Sequence, residues 1–166
     1  MARALKIMVY SDNVATRQQI MLALGRRPSR ELPEVEYVEV ATEPMVIRTA
    51  DTGDFDLLIL DGEAAPAGGM GVCRQLKDEI YKAPPILVVV GRPQDAWLAT
   101  WSRADAVVSH PIDPMELAVT VTERFVGWQP RVGPPRLSAC GSQRRGPGPC
   151  GYAPGLPGPR IVFPHE

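Results

Sequence analysis

The stretch that decides the fold is Asp56-Leu57-Leu58-Ile59-Leu60-Asp61. Four consecutive apolar residues between two carboxylates are too few for a helix. They suit a strand covered on both faces, as in a parallel sheet flanked by helices; an antiparallel strand with one wet face would alternate apolar with polar. Reading outward, Leu5 to Tyr10 (LKIMVY) is a second apolar run rich in β formers, and Ile86 to Val90 (ILVVV), introduced by Pro84-Pro85, is a third. Glu36 to Ala41 (EYVEVA) alternates like a strand with one polar edge, and Ala106 to Ser109 (AVVS) is a short fifth strand.

Helical patterns fill the gaps. Ser11-Asp12-Asn13 are residue types that cap a helix, and Val14, Ile20, Met21 and Leu24 predict a helix from Val14 to Arg26, ended by Pro28. Glu43 to Asp51 and Met70 to Ile80 predict the second and third helices. Gln94 to Arg103 carries Trp97, Leu98 and Trp101 at helical spacing. Asp113, Pro114 and Glu116 form a capping-box start, followed by Leu117, Val121 and Phe125 at four-residue spacing. Five β-to-α alternations imply an α/β fold: a doubly wound, five-stranded parallel sheet, flavodoxin-like, with right-handed crossovers.

The 166 residues are 45% hydrophobic and 22% charged, the range of ordinary soluble domains. No apolar run reaches the roughly 18 residues of a membrane span, and the start lacks a signal-peptide pattern, so a cytoplasmic location is expected. The three cysteines, Cys73, Cys140 and Cys150, form no C-x-x-C pair, which argues against a disulfide framework or a zinc site. Composition divides the chain into a domain at 1–128 and a tail at 129–166. The tail holds nine prolines and seven glycines in 38 residues, with five arginines against one glutamate. Such a segment cannot hold a helix or a central strand and is expected to be disordered. It is too short and proline-rich for a DNA-binding domain. Gln143-Arg144-Arg145-Gly146 reads as a contact for nucleic acid or an acidic partner, or simply as a solvated linker. The composition also fits GC-rich codons read out of frame.

In doubly wound sheets function gathers at the carboxyl ends of the strands. Those positions here are Ser11-Asp12, Asp61-Gly62-Glu63, Val90-Gly91 and His110-Pro111. Asp12 and Asp61 suit a hard divalent cation such as Mg²⁺, beside which Asp61 would be a nucleophile toward a phosphoryl group. The plainer reading of each is a loop or helix cap.

With those residues in view, the chain from Leu5 to about Phe125 resembles the receiver domain of bacterial response regulators. IMVYSDN is similar to the strand that delivers an acidic pair, DLLILD to the one that delivers the phosphoacceptor, and SHPIDPMEL to the last strand, proline joint and helix. The resemblance implies Asp61 as phosphoacceptor, and Asp12, Asp61 and the backbone carbonyl of Glu63 as ligands of Mg²⁺. It also exposes departures. Ser11 replaces the first acid, which lowers the expected cation affinity, and the Glu63 side chain either offsets part of that loss or simply faces solvent. Val90 replaces a hydroxyl residue that would bond a phosphoryl oxygen. His110 stands for a lysine, with shorter reach and little charge near neutral pH, and His110-Pro111 is expected to be cis. Val107 replaces a switching aromatic, Pro66 lies five rather than four residues past Asp61, and Arg103 replaces a glycine that usually ends the fourth helix.

Three classes follow. The first is an atypical, stand-alone receiver, not an enzyme, that works by protein–protein interaction with weak or absent phosphorylation at Asp61. The second is a competent receiver modified on Asp61 by a histidine kinase. The third is a small flavodoxin-like enzyme using Asp61, Glu63 and His110 as acid/base groups, opposed by the absence of a phosphate-cradling glycine loop after the first strand. Expected partners are a histidine kinase or another signalling protein, or a second copy of the chain, without DNA-binding or membrane function. The contact face would include Trp101, Met115 and Glu116, with Trp97 expected to pack into the core.

Overall fold

A computed structural model describes residues 3–125. The tail, its boundary at 128/129, Cys140, Cys150 and the Arg144-Arg145 pair lie outside the described residues. The described chain alternates throughout: β1 (Leu5–Tyr10), α1 (Val14–Leu24), β2 (Val35–Val40), α2 (Glu43–Thr52), β3 (Leu57–Asp61), α3 (Gly69–Glu79), β4 (Ile86–Val90), α4 (Ala96–Trp101), β5 (Ala106–Ser109) and α5 (Pro114–Phe125). The strands form one sheet in the order β2-β1-β3-β4-β5, every neighbouring pair parallel.

The strand chemistry explains the layers. Successive side chains leave a strand on opposite faces. On one face Ile7, Val9, Leu57, Ile59, Leu87 and Val89 meet Ile20 and Leu24 of α1 and Leu117 and Val121 of α5. On the other, Met8, Tyr10, Leu58, Leu60, Val88 and Val90 meet Val46 of α2 and Val72, Cys73 and Leu76 of α3. β3 and β4 are buried at every position, because each has strands on both sides and helices above and below. β2, at an edge, keeps Glu36 and Glu39 exposed. Burying one leucine or isoleucine of β3 fully is worth about 1.5–3 kcal/mol.

Helix ends differ from the sequence reading where local geometry intervenes. α1 stops at Gly25, whose φ of 61° lies in the region glycine alone adopts freely, so Arg26 is outside the helix. The fourth helix is broken: Pro93–Asp95 is a 3-10 turn, and α4 proper is six residues. This overturns the expected core position of Trp97, which is 67% exposed. The inward positions of α4 are Ala99 and Ser102, both fully buried and one turn apart. Trp97 lies two residues before Ala99, about 200° around the helix, and so faces outward. The small inner residues let α4 lie close to its neighbours, where the Ser102 hydroxyl donates to the Ala99 carbonyl and the Cys73 thiol to the Ser102 carbonyl.

α5 starts as expected. Asp113 Oδ1 accepts from the Met115 amide at 2.7 Å, and Pro114 occupies the first helical position. No helix among the described residues is long and apolar enough to cross a membrane.

Candidate functional site at the carboxyl ends of β1 and β3

From β1 the chain crosses first to β2 on one side and then to β3 on the other, so strand order reverses between β1 and β3. A crevice at the carboxyl ends of these two strands is where such sheets place their chemistry. β3 ends in Asp61, buried to 3% exposure, and β1 runs directly into Ser11, which is fully buried. The two side chains meet: the Ser11 hydroxyl donates to Asp61 Oδ2 at 2.8 Å. The direction of this bond follows from its surroundings. The Asn13 amide donates to Ser11 Oγ at 3.1 Å, so the single hydroxyl proton is left for Asp61. The other carboxylate oxygen, Oδ1, accepts from the Glu63 amide at 3.0 Å. Asp61 therefore has both oxygens engaged by donors of its own chain.

Behind Ser11 stands a residue not anticipated from the sequence. Arg17 is nearly buried in the second turn of α1; its Nη1 donates to the Ser11 carbonyl at 2.6 Å and its Nε to Glu39 of β2 at 3.0 Å. The available signal was spacing: Arg17, Ile20 and Leu24 share the inward stripe of α1, and a charge on that stripe must find partners. Tyr10 is the second missed residue. Its hydroxyl donates to the Ala67 carbonyl at 2.7 Å and so ties β1 to the loop after β3. Its pKa is raised, first by burial and then by the charges of Glu43, Asp12 and Asp61, so the strand ends form a region of negative potential.

The remaining expected residues are placed as follows. Asp12 and Glu63 are exposed at the rim. Val90 has its side chain in the core, with no polar atom to offer. His110 follows β5, its amide bonded to the Val90 carbonyl at 2.8 Å, while its half-buried imidazole makes no hydrogen bond or ion pair with a described residue. His110-Pro111 is cis, and so is Ala65-Pro66 in the loop after Asp61, where the proline falls one place late. Among the described residues no three His, Cys, Asp or Glu side chains are grouped as a metal-ligand set. Cys73 is fully buried, and burial pushes its thiol up to about 11, which takes it out of nucleophilic chemistry.

Of the expected partner residues, Trp101, Met115 and Glu116 are exposed. They do not share one helix layer. Trp101 lies against α3, with the Arg74 guanidinium 5.6 Å from its ring and bonded to its carbonyl at 3.0 Å. Met115 belongs to α5, which packs on α1. The β5 edge separates the two.

A parallel sheet in the order 2-1-3-4-5, with a buried carboxylate at the end of the central strand, is the arrangement that the resemblance to a receiver domain implies. Two response regulatory proteins from two strains of Mycobacterium tuberculosis are each 63% identical to the chain over 118 residues, which span 71% of this chain and 89% of theirs. The chain belongs to the bacterial response-regulator family. Solved structures agree on the fold. The chemotaxis response regulator CheY4 of Vibrio cholerae matches with a TM-score of 0.61 at 19% identity, over 74% of this chain and 99% of that one. The signal receiver domain of a signal transduction histidine kinase from Syntrophus aciditrophicus matches at 0.65 and 19%, over 82% and 100%. No family model matches the chain. Receivers of this family are signalling proteins rather than typical enzymes.

Proposed function

We propose that the protein is an atypical receiver that signals mainly by docking to a protein partner, with Asp61 accepting a phosphoryl group slowly or not at all. One observation carries the reading: both oxygens of Asp61 are held by donors of the chain itself, the Ser11 hydroxyl at 2.8 Å and the Glu63 amide at 3.0 Å. Each oxygen keeps a second lone pair, but a charge-assisted hydrogen bond on each, worth about 1.5–3 kcal/mol, stabilises the anion and weakens it as a nucleophile. The surroundings offer little in return. Phosphoryl transfer depends on positive charge and hydrogen-bond donors placed around the transferred group. The Val90 side chain supplies no donor, and the His110 side chain is shorter in reach than the lysine it replaces.

Asp12, Asp61 and the Glu63 carbonyl are the oxygen donors that would hold Mg²⁺, whose role would be to screen an incoming anion. They fit the ion's preference for oxygen. With Ser11 in place of an acid the set carries one charge fewer, and affinity is correspondingly low. Docking would use the surface on either side of the β5 edge, where Trp97 and Trp101 on α4 and Met115 and Glu116 on α5 are exposed; buried aromatic anchors dominate binding energy at interfaces. The partner class is a histidine kinase, another signalling protein or a second copy of the chain, in the cytoplasm, with 1–128 as the docking domain.

The test is intact-mass measurement after incubation with a small phosphodonor and Mg²⁺. The proposal expects at most a minor fraction with one added phosphoryl group, absent from Asp61→Asn. Stoichiometric, lasting modification of the wild type would favour the second reading, a competent phosphoacceptor, which the position of Asp61 at the switch point supports.

A further inference from the structure

We propose that Glu63 is the residue that sets the charge specificity of the strand-end site, its carboxylate lying over the end of β4 and keeping anions from Asp61; this rests on the reading of Asp61 just given. Three observations place it there. The Glu63 amide donates to Asp61 Oδ1 at 3.0 Å, which ties the backbone of residue 63 to the carboxylate it would guard. The side chain then runs to the neighbouring strand: a Cβ built on Gly91 would fall 2.5 Å from Glu63 Oε1 and 2.6 Å from its Cδ. The carboxylate thus lies against the bare Cα of Gly91, in space that a side chain at position 91 would occupy in its place. Third, no described residue pairs with the charge. The Glu63 carboxylate makes no hydrogen bond or ion pair with a described residue, and the adjoining Val90 side chain is turned into the core.

β3 and β4 are adjacent and Asp61 pairs in register with Val89, so Gly91, two residues further on, and the carboxylate over it stand on the order of 8 Å from Asp61, one strand spacing across and two residues along. An anion approaching Asp61 from the β4 side meets a second negative charge as well as a side chain in its path. Because Glu63 is exposed, the repulsion is screened by salt. Cations and neutral groups meet only the steric part. The class rejected is phosphoryl donors; the class admitted is cations.

The test uses the full chain with acetyl phosphate at fixed Mg²⁺, comparing wild type, Glu63→Gln and Glu63→Ala, each with and without Asp61→Asn. In the step followed, an Asp61 oxygen attacks phosphorus, the phosphorus–oxygen bond to acetate breaks, and acetate leaves with the electron pair. The Asp61-dependent rate should rise roughly tenfold in Glu63→Ala, the order that one like charge at this distance imposes at intermediate dielectric, and by a smaller factor in Glu63→Gln. Added salt should accelerate wild type more than Glu63→Gln, a difference that a merely structural role would not produce. Unchanged melting temperatures would show that the variants fold. A Glu63→Ala rate within twofold of wild type, including no labelling in either, would overturn the proposal, as would equal salt dependence in wild type and Glu63→Gln. Fast labelling of the wild type would instead overturn the reading of Asp61, while the ratio between variants would still decide the role of Glu63.

Discussion

Ser11 is the position at which one side chain changes the character of the site. A carboxylate there would repel Asp61 and call for a cation between them; a hydroxyl donates to Asp61 and needs none. Ser11→Asp should therefore confer a Mg²⁺-dependent rise in melting temperature of a few degrees that wild type lacks, as ligand binding to the folded state requires, and Asp61→Asn should reduce it. Differential scanning fluorimetry across a Mg²⁺ series reads this directly. Arg17 supports the same turn from behind, and Arg17→Ala removes the donor to the Ser11 carbonyl and the partner of Glu39. Because Glu39 is 46% exposed and rehydrates easily, the expected loss is about 2 kcal/mol rather than the larger figure for a fully buried pair, measured by urea unfolding. Neither contact was legible in the sequence. Ser11 and Asp61 are 50 residues apart, and only the pairing of β1 with β3 brings them together.

At the scale of elements, the strands and the start of α5 were legible because each carries a local signature: two-sided apolar runs in β3 and β4, an Asp-Pro cap in α5. The phase of α4 was not, because it is set by the 3-10 turn at Pro93 and by which small residues can approach the core, a tertiary matter. The end of α4 explains why a glycine is usual there. Arg103 holds a φ of 60°, where a side chain is strained by about 1–2 kcal/mol. Its guanidinium bonds Asp78 at 2.8 Å, an exposed pair worth no more than about 1 kcal/mol. Arg103→Gly should thus leave stability unchanged or raise it by up to about 1 kcal/mol, and a clear loss in chemical denaturation would contradict this. Between α1 and β2, the Tyr37 hydroxyl donates to the Gly25 carbonyl, and burial pushes its pKa up to about 12. With the folded pKa above the ordinary 10, the unfolded chain ionises first. The stability Tyr37 contributes is complete below pH 10 and is lost between about pH 10 and 12. Cys73, pushed up to about 11 from 9, acts in the same direction one unit lower at its onset. Base titration followed by circular dichroism should show destabilisation beginning near pH 9, with Tyr37→Phe removing the upper part.

Over the whole molecule, the fold and the site's address follow from one pattern, strand ends of a doubly wound sheet, and that pattern was readable from DLLILD outward. What the site does at that address depends on contacts across elements: Ser11 to Asp61, Glu63 to Gly91, Arg17 to Glu39. In the proposed reading the first two engage or shield Asp61, the third holds the Ser11 turn in place, and the conformation of the β4, α4 and β5 side is left to packing. The most direct test of this claim is the amide NMR spectrum of residues 1–128 and of the full chain, recorded with and without Mg²⁺ and beryllofluoride, which mimics a phosphoryl group on aspartate. The account predicts that the resonances of β4, α4 and β5 stay in place, with small shifts confined to residues beside Asp12 and Asp61. Saturable shifts running from Asp61 through Val90 to Trp101 and His110 would contradict it.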